Sequence, residues 1–284
     1  MTDRSEVLRM RKFWITICVI LLCMTGCGND AAVNENAVEQ EEPVWVITEQ
    51  RSYDAEGNLQ SSSIWQYTED ENHYRVESYN KDNELTGYSE VSQNKDATQT
   101  VKKNYLTDGT EVGTFTETFD SEGRLLSSIS EPINGQSKET IRKWSKDGRC
   151  AEVFTENAGG ETVLVNTLEY DDQNRIVRET DGQSETVYSY EDGKRIIRSE
   201  MAGYVYYMVH YYDAQNRMVE TRDYKVSGDG DYTEDNLISR SICTYKEDGH
   251  SVTQEYYFKD EVTGEQLTGT LEITYQPLDE VLAK

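Results

Sequence analysis

The chain has 284 residues, with 54 acidic against 28 basic side chains, and a formal charge of −26. A field of that sign repels nucleic acid and anionic lipid headgroups, so neither is an expected partner surface. Twenty tyrosines and only three prolines favour strands, and the length suffices for one all-β domain with its own core.

In chain order the first element is a targeting segment. Arg9, Arg11 and Lys12 precede an uncharged stretch from Phe13 to Met24, which stops at Thr25-Gly26-Cys27. A basic start, a short apolar middle and small residues at the end make a secretory signal. Twelve residues span about 18 Å as a helix, well short of a hydrocarbon core of about 30 Å, so a permanent transmembrane helix is the weaker reading. The cysteine after the small pair resembles the lipobox of a bacterial lipoprotein. That resemblance implies cleavage before Cys27, lipidation of Cys27, and an anchor on the extracytoplasmic face of the cell membrane. A plain secretory signal, with Cys27 an ordinary residue, is the alternative. Residues 1–26 are then the signal, and 27–43 a lipidated cysteine and acidic spacer. Residues 44–276 form the body and 277–284 a tail. The mature chain carries a formal charge near −28, since four basic and two acidic residues leave with the signal.

The body is repetitive. Tyr53-Asp54-Ala55-Glu56-Gly57-Asn58-Leu59 recurs as Tyr79-Asn80-Lys81-Asp82-Asn83-Glu84-Leu85 and Phe119-Asp120-Ser121-Glu122-Gly123-Arg124-Leu125. It recurs again as Trp144-Ser145-Lys146-Asp147-Gly148-Arg149-Cys150, Tyr170-Asp171-Asp172-Gln173-Asn174-Arg175-Ile176 and Tyr212-Asp213-Ala214-Gln215-Asn216-Arg217-Met218. Looser copies start at Tyr105 and Tyr245, and a shorter one at Tyr190. Asp or Asn at the first corner bonds the backbone two residues on, and Gly or Asn at the last corner tolerates positive φ. The spacing predicts a type I turn closed by a left-handed residue. The aromatic ends one strand, the aliphatic begins the next, and the two pack across the ladder. The run Tyr204 to Tyr212 is apolar at nearly every position and is expected to be covered on both faces.

This pattern resembles the tyrosine-aspartate (YD) repeat, also called the rearrangement-hot-spot repeat, over residues 53 to 252. The resemblance implies consecutive antiparallel β-hairpins forming a twisted open sheet or β-solenoid, in a short surface lipoprotein. It transfers no catalytic residue. Stacked hairpins of that kind would fray at the ends, with exchange fastest before Tyr53.

Chemistry is sparse. Only Cys150 and Cys243 remain after the signal and Cys27, in no metal-ligand spacing. They could pair, but spacing alone cannot place them together. His73, His210 and His250 are scattered and read as structural. No nucleophile elbow, P-loop, HExxH or dinucleotide motif is present. Asp229 to Asn236 alternates oxygen ligands, but Glu234 stands where a calcium loop needs glycine, so a solvated hairpin loop is expected. Trp65, Trp144 and the Tyr204 to Tyr212 run are candidates for stacking on sugar rings, against core packing. The expectation is a non-enzymatic envelope lipoprotein without cofactor or metal. Its sheet is expected to bind a partner, with envelope polysaccharide the candidate ligand. The alternatives are an assembly factor cradling a lipid or client protein, and a hydrolase.

Overall fold

The computed structural model describes residues 43–156, 160–228, 230–260 and 262–283. The signal, Cys27 and the spacer before Pro43 lie outside the described residues. The first strands are β1 (Trp45–Asp54), β2 (Leu59–Tyr67), β3 (Tyr74–Asn80), β4 (Leu85–Gln93), β5 (Gln99–Tyr105) and β6 (Glu111–Phe119). Next come β7 (Leu125–Pro132), β8 (Lys138–Trp144), β9 (Cys150–Glu156), β10 (Thr162–Tyr170), β11 (Ile176–Thr180) and β12 (Glu185–Glu191). The last are β13 (Lys194–Met201), β14 (Tyr204–Tyr212), β15 (Met218–Ser227), β16 (Leu237–Tyr245), β17 (Val252–Asp260) and β18 (Gly264–Pro277). A helix of one turn, α1 (Leu278–Leu282), follows, too short to leave a period in the sequence. Its Leu278 N–H donates to Val44 O at 2.8 Å.

The strands are antiparallel hairpins, as expected, but the sheet is neither open nor a solenoid. Each strand pairs with its neighbours in sequence, and β1 also pairs with β18, from Trp45↔Pro277 to Asp54↔Gly269. The result is a closed barrel of 18 strands. An even number of strands brings the first and last together antiparallel, and closure removes both unpaired edges. The expected fraying end before Tyr53 is therefore absent in this architecture: β1 has partners on both sides.

The repeated motif builds the turns. Gly57, Asn83, Gly123, Gly148, Asn174 and Asn216 take φ between 57° and 83°. In each, the N–H of that residue donates to the carbonyl three residues back, as from Gly57 to Asp54 at 3.1 Å. Asp54 Oδ1 accepts from the N–H groups of Glu56 and Asn58, and Asp120, Asp171 and Asp213 repeat this pattern. The aromatic and aliphatic anchors face one another across a bulge: Tyr53↔Leu59, Phe119↔Leu125, Tyr170↔Ile176 and Tyr212↔Met218. Trp144 is offset by one and faces Ala151 instead of Cys150.

The repeat changes ends partway. The copies at Tyr53, Tyr79 and Tyr105 close β1/β2, β3/β4 and β5/β6, whereas the copy at Phe119 closes β6/β7. Later copies join even to odd strands, so they lie at the opposite rim. There the motif gains a staple. Arg124, Arg175 and Arg217 donate through Nε to Asp120, Asp171 and Asp213 at 2.7–2.8 Å. Each guanidinium also lies over an aromatic of the next hairpin: Trp144 at 5.5 Å, Tyr190 at 4.1 Å and Tyr245 at 4.4 Å. Those aromatics bond back to Leu125 O, Ile176 O and Met218 O.

Directly opposed residues share a face of the sheet, so register sorts side chains into two faces. The more buried face, which on β12 carries Thr186, Tyr188 and Tyr190 between exposed neighbours, is the inner wall. The outer wall carries charge ladders such as Glu169–Arg178 (3.1 Å), Glu220–Arg222 (2.8 Å) and Arg240–Glu265 (2.6 Å). The inner wall holds two buried apolar arcs. One is Ala151, Val153 and Leu168 with Trp144, Tyr170 and Ile176; the other centres on Cys243, Val252, Leu271 and Ile273. A third cluster lies outside: Ile196, Val209, Tyr224 and Leu237 are covered by Tyr232 from the β15–β16 connection. On β14, therefore, Val205 and Val209 are buried outward, while Tyr206, Met208 and His210 face inward half-buried. Eighteen strands enclose more space than side chains alone fill.

Candidate ligand-binding wall

Between the two inner arcs, strands β12 to β16 present a polar and aromatic surface to the interior. Their register sets two parallel rows. One runs Tyr190, Arg195, His210, Thr221 and Ser241; the other runs Tyr188, Ile197, Met208, Asp223 and Ser239. Strand alternation places them there. Lys194-Arg195 and Arg222-Asp223 are consecutive charged pairs within strands, and successive side chains point to opposite faces. One member of each pair must face inward.

Arg195 Nη2–H donates to His210 Nδ1 at 2.9 Å. A guanidinium can only donate, so the imidazole is neutral and carries its proton on Nε2. Burial, followed by the charge of Arg195, pushes the His210 pKa down to about 4. Asp223 Oδ2 accepts from Ser239 Oγ at 2.7 Å. Burial raises its carboxyl to about 6, opposed by that hydrogen bond. Further along the wall, Tyr188 Oη donates to Glu179 Oε2 at 3.1 Å, and Asn166 Nδ2 donates to the other oxygen of the same carboxylate.

Most of this wall is bonded, but among the described residues five inward side chains each hold a solvent-shielded polar atom with no protein partner. They are Arg142 Nε, Asn166 Oδ1, Arg195 Nε, His210 Nε2 and Asp223 Oδ1. Unpaired buried polar atoms are expensive and call for an explanation. Three of the five sit on the adjacent strands β13, β14 and β15.

The residues singled out in the sequence fall elsewhere. The anchors Tyr53, Gly57, Leu59, Phe119, Gly123, Leu125, Trp144, Gly148, Tyr170, Asn174, Ile176, Tyr212, Asn216 and Met218 occupy turns and strand ends. Trp65 faces inward on β2, opposite Val76. Trp144 packs on Tyr170 with ring centroids 5.1 Å apart. Among the described residues Cys150 and Cys243 are unpaired, and burial pushes the Cys243 thiol up to about 11. His73 bonds Asp70 at 2.7 Å and His250 stacks on Trp45 at 4.1 Å, so both are structurally engaged. His210 departs from the structural reading, because one of its nitrogens has no partner. Asp229 lies outside the described residues. Glu234 of that loop accepts from Arg222, and among the described residues no three His, Cys, Asp or Glu gather for a metal. Sequence reasoning missed Arg195, Asp223 and Ser239, and read His210 as structural. The signal available for two of them was the charged pair inside a strand.

No family model matches the sequence, and no curated protein matches it. Among solved structures, the chain is similar to the crystal structure of a porin-like protein from Bacteroides uniformis. The two share 12% identity with a TM-score of 0.44, covering 81% of this chain and 98% of that one.

Proposed function

We propose that this protein is a non-enzymatic, lipid-anchored binding protein of the cell envelope that holds its ligand inside the barrel. The signal ending at Cys27 supports the anchor, and envelope polysaccharide is the ligand class that fits the wall best. One observation carries the interior reading. Among the described residues, five of the seven unpartnered polar atoms lie on the inner wall, next to half-buried tyrosines; the other two, Arg75 Nε and Arg240 Nε, belong to outer-wall arginines that are ion-paired with Glu77 and Glu265. The charged outer wall is also the reverse of the apolar band that a membrane-spanning barrel turns to lipid, which supports tethering over insertion. His210 supports binding rather than proton transfer. With its pKa near 4 and Arg195 on Nδ1, it lacks the carboxylate that orients a catalytic imidazole.

Two measurements test the reading. Detergent-phase partitioning of wild type and Cys27→Ala should differ, with only the wild type in the detergent phase; identical partitioning removes the anchor. Hydrogen exchange of the full-length chain in detergent should slow at inward-facing strands when envelope polysaccharide is added. Slowing confined to loops, or none, removes the interior site.

A further inference from the structure

Resting on that interior reading, we propose that the inner wall of β13 to β15 is a subsite for a neutral sugar residue. Adjacent hydroxyls of that residue are held by Arg195 Nε–H, His210 Nε2–H and Asp223 Oδ1.

The argument is one of complementarity. The register puts Arg195 directly opposite His210, and Asp223 one pleat along on the next strand. Two inter-strand spacings of about 4.8 Å separate β13 from β15, so the three groups cover the length of one or two sugar rings. Their unpartnered valences are two donors and one acceptor, each shielded from solvent, so a sugar reaches them as the half-buried side chains over them turn aside. A hydroxyl donates and accepts at once, so a pair of vicinal hydroxyls can fill all three. A carboxylate or phosphate would satisfy the two donors but place its charge against Asp223. An ammonium would satisfy Asp223 but meet Arg195. The cluster itself sums to zero charge, one guanidinium, one carboxylate and one neutral imidazole, in a chain whose total charge of −26 already disfavours anions. Inward Tyr188 flanks the cluster, opposite Ile197, and its ring offers an apolar face on which a sugar ring packs, whereas the Tyr190 ring opposite Arg195 is already covered by Arg175. Ser239 keeps Asp223 Oδ2 occupied, leaving Oδ1 as the free acceptor.

The test titrates full-length protein in detergent, by calorimetry, with maltohexaose, chitotetraose and oligogalacturonate. A neutral oligosaccharide should bind, and oligogalacturonate should bind at least about tenfold more weakly. Asp223→Asn and His210→Phe should each weaken neutral binding about tenfold or more, the loss expected for one hydrogen bond to a charged or fully desolvated group. Glu255→Gln, on the outer wall, should leave binding unchanged. Neutral binding that survives both inner variants overturns the subsite. If a variant fails to fold, hydrogen exchange of the wild type decides. Ligand-induced slowing centred on β13 to β15 supports the subsite, and slowing elsewhere overturns it. Tight oligogalacturonate binding with slowing on other inner strands overturns the neutral subsite but leaves the interior reading standing. No slowing on any inner strand with any of the three overturns both.

Discussion

Two regions keep this ring closed, and they do so by opposite means. The seam between β1 and β18 joins residues more than 200 positions apart through backbone pairing along most of β1, with Tyr53 Oη–Glu272 at 3.1 Å and Thr48–Thr274 O at 3.3 Å across it. The stapled rim joins residues four positions apart within a turn, then reaches the next hairpin through an arginine and an aromatic. The rim forms wherever its seven residues occur, at small entropic cost. The seam requires the whole chain to be in place, because loop-closure entropy must be met before its contacts form. Local devices repeat and are individually dispensable; the seam occurs once, between β1 and β18, and closes the ring.

The strongest way to break this comparison is at Gly269. A Cβ there would lie 2.8 Å from the carbonyl oxygen of Tyr53 across the seam. Gly269→Val should cost about 3 kcal/mol by forcing the two strands apart, with faster hydrogen exchange in both β1 and β18. Gly87 supplies the matched control, since its Cβ would lie 2.8 Å from Tyr105 O within an ordinary pair, β4/β5. Equal losses of Tm and purely local exchange for the two variants would show the seam to be no more critical than any other ladder.

At the rim the effects are smaller. Gly123 has φ of 76° and open space around it, so only backbone strain opposes a side chain. Gly123→Val should cost about 1–2 kcal/mol, whereas Ser121→Val, two positions earlier, should cost less than about 0.5 kcal/mol. Indistinguishable melting temperatures would refute the turn assignment. Arg217→Ala removes the bond to Asp213, the contact over Tyr245 and the bond to Gly249 O at 3.2 Å. Solvent screening limits the loss to about 0.5–1 kcal/mol. Double substitution with Tyr245→Leu should then be less than additive, measured by denaturant titration.

Acid should produce the smallest effect per site and sharpen the contrast most selectively. The side-chain amide of Asn58 and backbone N–H groups hold Asp54 below its usual range, and the backbone N–H of Arg124 does so for Asp120. A carboxylate with a lowered folded pKa stabilises above its unfolded value, near 3.8, and loses that contribution as pH falls through the folded value. Below about pH 4, turn amides at Glu56 and Glu122 should exchange faster before those of β1 and β18. Simultaneous loosening would mean that seam and rim unfold as one unit.

The turns were the most legible part of the fold. Asp54, Gly57, Asp120 and Gly123 act through bonds two to four residues long, so residue identity and spacing suffice to specify them. The rim staple was half visible: Arg recurs at the sixth position, but its aromatic partner depends on how hairpins align. Of the inner wall, charged pairs within strands, Arg142-Lys143, Lys194-Arg195 and Arg222-Asp223, left a trace. A pair in a strand shows that one charge faces inward, not which one, nor what stands beside it. Closure left no trace at all. Open sheet and closed barrel use the same strands and the same turns, and differ only in whether β1 finds β18. The sequence by itself determined the hairpins, because their energetics are local. Tertiary structure alone decided that the ring closes, which face becomes the interior, and that Arg195, His210 and Asp223 share it. Those outcomes depend on pairing between distant strands, where no spacing along the chain records the contact.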